Sequence, residues 1–296
     1  MNLMPASAST HIPPRTLMAF ERRFRDEDDC REYLEELRWP DGFRCSCGSD
    51  RAWRTARWLW KCAACGSATS VTSGTVFHGS RLSLMTWFRA IWSMTGSRTG
   101  ASALELQHSL ELGSYRTAWT MLHVIRRMMQ QRRRPLLGRI DVGIRCFCGG
   151  GWQCAPGSNQ SSVIIAVEEN DAGVGRIRMR VLVARTPTEL RAFLEDVVAI
   201  GSSVHPDDAE ARRLLDASGY KQPPARPSTR AGSRIQLTAG LVKRWLIGTH
   251  QGRVDHAYLQ EYLDEFSFRF NRRNVPHSGT LFSHVLTIAV TTPDKA

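Results

Sequence analysis

The chain has 296 residues, 42% of them apolar, enough to bury one large core or two modest ones, so a globular protein of several parts is expected. Its formal charge of +12 rests almost wholly on arginine, the lysines being only Lys61, Lys221, Lys243 and Lys295. The guanidinium fork matches phosphate best, so nucleic acid is the expected partner, with a merely solvated basic surface as the alternative. No apolar run approaches membrane-spanning length and the N-terminus lacks the basic start and apolar core of a secretory signal, which argues for a reducing cytoplasm and for cysteines that serve as metal ligands or free thiols.

The first residues carry no periodic pattern, whereas TLMAFERRFRDEDDCREYLEELRW partly repeats apolar positions at helical spacing and predicts a short amphipathic helix. Next come Cys45, Cys47, Cys62 and Cys65, four thiols of the number that closes a tetrahedral structural zinc site. The second pair has C-x-x-C spacing followed by Gly66, which frees the backbone where amides turn toward sulfur. The first pair is C-x-C, one residue short, which predicts a strained knuckle. Free cytosolic cysteines are the alternative. Arg44, Arg51, Arg54, Arg57 and Lys61 alternate with Trp53, Trp58 and Trp60. They read either as a phosphate-contacting ribbon face or as tryptophans packing the ribbon with the basic residues solvated.

Helical spacing returns over 84–97, 101–112 and 117–134, with the turn GSYRT before the last segment, an order that suits a helix-turn-helix. After Pro135 the texture becomes β-like: VIIAVEEN and RIRMRVLVAR, separated by a Gly/Asp turn, pair naturally as a hairpin. A helix at 187–198, a strand near 202–205, a helix near 209–218 and the linker KQPPARPSTRAGS follow, then helical spacing over 238–247 and 255–270. That order fits a mixed α/β domain.

Several stretches resemble a known family. CAACGSATSVTSGTVFHGSRLSLMTWFRAIW, ASALELQHSLELGSYRTAWTMLHVIRR, VIIAVEENDAGVGRIRMRVL and VKRWLIGTHQGRVDHAYLQEYLDEFSFRFNRR read like a bacterial insertion-sequence transposase with an N-terminal zinc ribbon and a DDE-type, RNase-H-like domain. The resemblance spans most of 20–290. It implies an α+β, mixed fold in three parts: helix plus zinc ribbon at 17–80, a helix-turn-helix-like DNA-binding segment at 81–134, and an RNase-H-like domain at 135–290. It also implies structural Zn²⁺, catalytic Mg²⁺ or Mn²⁺, double-stranded DNA as terminal inverted repeats and target, a homo-oligomer on that DNA, and a cytoplasmic, nucleoid-associated location.

In such a family three acidic or amide ligands hold two metal ions for phosphoryl transfer on DNA. Asp207, in GSSVHPDD, matches the second carboxylate, and Asp208 stands where the family usually has glycine; capping of the next helix is the alternative role for the two. The first carboxylate falls in IDVGIRCFCGGG, where the aligned position is Gly143. Asp141 shares its strand face by alternation and would substitute only if the strand slid by two. The third ligand is expected near residue 241, where this chain has Leu241, which has no oxygen for Mg²⁺; Glu261 and Glu265 lie on the next helix. Cys146, Cys148 and Cys154 crowd an atypical stretch, RCFCGGGWQCAPGSNQSS, which reads as a decayed or locally frameshifted copy, its cysteines as free thiols or a second metal site.

The expected DNA contacts are Arg116 at the start of the recognition helix, the cluster Arg126, Arg127, Arg132, Arg133 and Arg134, and Lys243 and Arg244. The cluster reads alternatively as a solvated helix end complementing the dipole. Trp245 and Leu246, and the stripe Tyr262, Phe266, Phe268 and Phe270, read as core. Two functions follow: a transposase that nicks and joins its element's ends, its site in this copy impaired, or a remnant that binds those ends without cutting. An unrelated zinc-ribbon regulator would require the C-terminal half to lack an RNase-H-like sheet.

Overall fold

The computed structural model describes residues 12–97, 99–130, 134–148, 160–170, 173–220, 233–250 and 254–292. The chain divides into two compact units, one of residues 1–128 with 275–296 and one of 129–274.

In the first unit the single N-terminal helix expected from the pattern is two: α1 (Leu17–Arg23) and α2 (Glu27–Arg38). The break lies at Asp26, whose extended backbone and carboxylate, accepting from the amides of Asp28 and Asp29, start a new helix. Strands β1 (Ala52–Arg54), β2 (Leu59–Cys62) and β3 (Ala68–Ser70) form an antiparallel ribbon. Helices α3 (Leu84–Gly96), α4 (Ala103–Ser109) and α5 (Tyr115–Met128) follow. Ser102 and Glu105 close a capping box on α4, and its chain exit passes through Glu111 at φ 50° before α5 begins.

The last helix, α10 (Ser278–Thr291), packs on α2 and α3 of this unit, although the sequence pattern ran the final domain to residue 290. Phe282 explains the return: its ring lies 5.5–5.8 Å from those of Phe20, Phe24, Phe88 and Trp92, the centre of an aromatic core worth more than its area alone. At the start of α10, Gly279 lies so close to the N-terminal segment that a Cβ would sit 1.8 Å from the Pro14 carbonyl oxygen.

The second unit is built on a four-stranded sheet in the order β6-β5-β4-β7. Its strands are β4 (Arg139–Cys148), β5 (Gln160–Asn170), β6 (Gly173–Leu182) and β7 (Ser203–Pro206). The first three are antiparallel, and β7 runs parallel to β4 after the crossover helix α6 (Pro187–Val197). The run Val163–Val167 is apolar throughout because β5 is covered on both faces. Ile164 and Ala166 meet α6 and α7 (Ala209–Ala217), while Val163, Ile165 and Val167 meet α8 (Arg234–His250) and α9 (Leu259–Phe270).

The free edge of β6 is closed by α9 and the residues after it rather than by another strand. Asn271 donates to the Ile177 carbonyl and accepts from its amide, Gln260 does the same for Met179 and Val181, and Arg273 donates to the carbonyl oxygens of Gly175 and Val174. A sheet of this kind in the C-terminal half removes the regulator reading.

Candidate active site and zinc centre

The four ribbon thiols converge. Their Sγ atoms all lie within 4.8 Å of one another, with Cys45 to Cys65 at 3.6 Å and Cys47 to Cys62 at 3.7 Å. A tetrahedral ion with Zn–S bonds of about 2.3 Å needs sulfur–sulfur edges of about 3.8 Å, so the donor set fits zinc. The short first pair is accommodated by turn type rather than by splayed sulfurs. Gly48 N–H donates to the Cys45 carbonyl three residues back, and Gly66 N–H to the Cys62 carbonyl four back, so the extra residue of C-x-x-C goes into a wider turn. Both glycines have positive φ, 91° and 74°.

Without a cation the four sulfurs cannot ionise together. Amides and Ser67 pull Cys45 down to about 6, whereas Cys47, though its sulfur receives the Ser49 amide, is pushed up to about 12 by the sulfurs of Cys45, Cys62 and Cys65. A bound dication would hold all four as thiolates.

Among the ribbon's aromatic residues, one packs inward and two lie beside basic side chains. Trp60 stacks on Phe43 at 5.4 Å and its indole N–H donates to Glu35 on α2 at 2.9 Å, so it packs the ribbon inward. Trp53 is half exposed beside Lys61, and Trp58 lies under the guanidinium of Arg54 at 4.3 Å.

In α5, Tyr115 and Arg116 are exposed at the helix start and Arg127 farther along. Arg126 is 1% exposed, a correction to its placing among the phosphate contacts. Helical periodicity supplies the reason: Arg126 follows Ala118 and Leu122 at intervals of four, all three buried. Lys243 is buried in α8 with its pKa lowered by that burial, while Arg244 faces outward. Arg132, Arg133 and Cys154 lie outside the described residues, as does most of the atypical stretch after Cys148. Trp245 and Leu246 pack against the sheet with Tyr262 and Phe266.

The second site lies where β4, the end of β7 and the start of α8 meet. Asp141 pairs in register with His205, and the Asp207 amide donates to the Val142 carbonyl at 2.7 Å, which sets Asp207 level with Gly143. Asp207 therefore stands beside Gly143 and not beside Asp141. Asp141 and Asp207 accordingly belong to separate ion-pair groups. Asp141 accepts from Arg234 at 2.5 Å and pairs with Arg139 at 3.5 Å, and both arginines also meet Glu169.

Asp207 accepts from Arg145 at 2.5 Å and from the Ser233 hydroxyl at 2.8 Å. Asp208 accepts from Arg145 at 2.7 Å and from the Ile144 amide at 3.0 Å, and its other oxygen caps α7 through the Ala211 amide at 2.7 Å. The capping role thus belongs to Asp208 and not to Asp207.

A Cβ on Gly143 would lie 2.8 Å from Ile235 Cγ2 and 3.0 Å from Asp208 Oδ2. The residues that reach this site from around the start of α8 are therefore Ser233, just before the helix, and Ile235 in its first turn. Leu241, where the third ligand was expected, lies about two turns farther along among apolar neighbours. Sequence reasoning missed Arg145, Ser233 and Arg234. Arg145 was within reach, two positions after Gly143 on the same strand face.

Two family models match the chain. Residues 25–68 match the transposase zinc-ribbon domain, and residues 150–271 match the ISXO2-like transposase domain; together the matches cover more than half of the chain. The second begins after β4, so the strand bearing Asp141, Gly143 and Arg145 lies outside it. None of the curated proteins compared with the chain matches it.

Proposed function

The chain belongs to the insertion-sequence transposases that join a zinc ribbon to an ISXO2-like domain, and on that premise we propose that it binds the terminal repeats of its element through α5 and the ribbon while its strand-cutting chemistry is impaired. By family the activity is phosphoryl transfer on DNA, and DNA is the partner. The zinc ribbon is structural, since four thiolates leave no open position for a substrate water. Its work is to hold the basic ribbon face in shape. Exposed Arg116 and Arg127 on α5 would position the helix against phosphates, with Tyr115 and Thr117 at the end that meets base edges. Assembly as a homo-oligomer on paired ends belongs to the same proposal, as does a nucleoid-associated, cytoplasmic location.

One observation carries the impairment. At Gly143 there is neither a carboxylate nor room for one, because Ile235 and Asp208 crowd the position. The family reaction asks for Mg²⁺ or Mn²⁺ held by several oxygen ligands. Of the two aspartates beside Gly143, Asp208 caps α7 and Asp207 is engaged by Arg145 and Ser233, while Asp141 is held by Arg234 and Arg139. The residues present do not fit a metal pair, and no cleavage step is derived through one.

The test uses a labelled duplex bearing the element's own ends, with binding and cutting read in the same samples in Mg²⁺ and Mn²⁺. The chain is expected to retard the duplex and leave it intact. Cutting by the chain that Asp207→Ala abolishes would refute the impairment, and failure to bind the ends above unrelated DNA would refute the recognition.

A further inference from the structure

Four carboxylates gather where α8 begins: Glu169 on β5, Asp141 on β4, and Asp207 and Asp208 just past β7. Each is held by a guanidinium. Arg234 joins Asp141 to Glu169, Arg139 approaches the same two, and Arg145 joins Asp207 to Asp208. Charge that a metal site would leave for divalent ions is thus balanced, nearly one for one, by side chains of the protein itself.

From this we infer that Arg145 is a resident cation standing in place of the divalent metal, and that Asp207 and Asp208 form a structural clamp rather than a metal site. The inference rests on the impaired reading above and assigns its cause to a particular side chain. The geometry is specific. The two terminal nitrogens of Arg145 each take one aspartate, through the Oδ2 atom in both cases, at 2.5 and 2.7 Å. The Asp208 oxygen and the Arg145 nitrogen that meets it both border the space beside Gly143, where a Cβ would lie 3.0 Å from Asp208 Oδ2 and 3.2 Å from Arg145 Nη1. An ion bound to them at about 2.1 Å would have to displace the guanidinium.

Arginine does not deprotonate to make way, and its fork matches carboxylate oxygens. It is also tethered two residues from Gly143, so its effective concentration is set by the strand and not by solution. The clamp ties three elements together: β4 through Arg145 and the Ile144 amide, α7 through its cap at Asp208, and the start of α8 through Ser233 on Asp207.

A metal site and a clamp respond oppositely to loss of charge. Two aspartates waiting for a metal repel each other, so Asp207→Asn would raise the melting temperature of the metal-free chain, whereas a clamped aspartate loses its partner and the melting temperature falls. The experiment takes the full chain, zinc-saturated and free of Mg²⁺, and compares it with Asp207→Asn, Arg145→Met and the double variant in thermal melts and Mn²⁺ titrations read by electron paramagnetic resonance.

Expected are a fall of about 4 °C or more for Asp207→Asn, no Mn²⁺ site in the unmodified chain, and a new Mn²⁺ site in Arg145→Met that the double variant loses. A rise for Asp207→Asn, or a Mn²⁺ site in the unmodified chain that Asp207→Asn removes, overturns the inference. Should Arg145→Met not fold, those two readings still decide. A Mn²⁺ site in a chain that does not cut DNA sinks the resident-cation assignment alone, whereas DNA cutting sinks the impaired reading itself.

Discussion

Placing a carboxylate at Gly143 is the most direct test of the proposed impairment. A Cβ there meets Ile235 Cγ2 at 2.8 Å, well inside the usual carbon contact of about 3.5–4.0 Å. Overpacking of that kind costs about 1–3 kcal/mol. Replacing glycine within a strand returns about 0.5–1 kcal/mol of backbone entropy. Gly143→Ala, which tests packing alone, is therefore expected to destabilise by about 1–2 kcal/mol. Gly143→Asp adds a negative group beside two carboxylates that share one guanidinium, so one repulsion stays uncompensated, about 4 kcal/mol as an upper bound at 4 Å in a half-wet site.

The aspartate variant should fall below the alanine variant by about 1–4 kcal/mol at neutral pH, and the gap should narrow as acid protonates the new carboxyl. Adding Ile235→Ala should recover at least about 1 kcal/mol in the Gly143→Ala background relative to the sum of the single effects, because it removes the clashing methyl. Urea unfolding of the zinc-saturated chain reads all four. A Gly143→Asp chain as stable as the parent, with no coupling to Ile235, would mean the position still has room for the family's first carboxylate and would refute the argument.

Zinc should be found at one ion per chain, and Cys47→Ser or a strong chelator should unfold the ribbon, since a structural site supplies about 10–16 kcal/mol of apparent folding free energy; a ribbon whose near-ultraviolet signal survives chelation would contradict this. Arg127→Ala should weaken DNA binding uniformly across sequences and lower the salt slope by about one, whereas Arg126→Ala should leave the slope alone and cost about 1–3 kcal/mol of stability, read by salt-titrated binding and urea melts. Gly279→Ala should cost about 1–3 kcal/mol in the same melts, as the Pro14 carbonyl must retreat. Asn271→Ala, which bares both polar groups of Ile177 on the β6 edge, should promote self-association visible by light scattering; an unchanged monomer signal would show the edge is guarded by other means.

How far the chain could be read in advance depended on how local each feature was. The thiols were legible because ligand type and spacing are properties of a few adjacent residues, and even the missing residue of C-x-C was absorbed by a change of turn. The run VIIAV was legible as a strand of a hairpin, whereas the cover on both its faces shows only in the packing. α10 was not legible, since SGTLFSHVLTIAVT is apolar nearly all round and its partners, Phe20 and Phe88 among them, lie far back in the chain. Arg126 was misplaced because a run of like charges was read as surface, while the fourfold spacing from Ala118 and Leu122 already set it on the buried face.

The carboxylate site failed for a related reason. Counting along the chain to Leu241 assumed a ligand in mid-helix, but which residue of α8 meets β4 depends on where that helix begins, and it begins at Arg234, beside the carboxylates. A site assembled from β4, β7 and α8 is decided by register, and register shows only when the strands are paired. Once they are, Gly143 and Arg145 stand two residues apart on one strand face, and on the proposed reading the guanidinium holds the two aspartates that a metal would otherwise bridge.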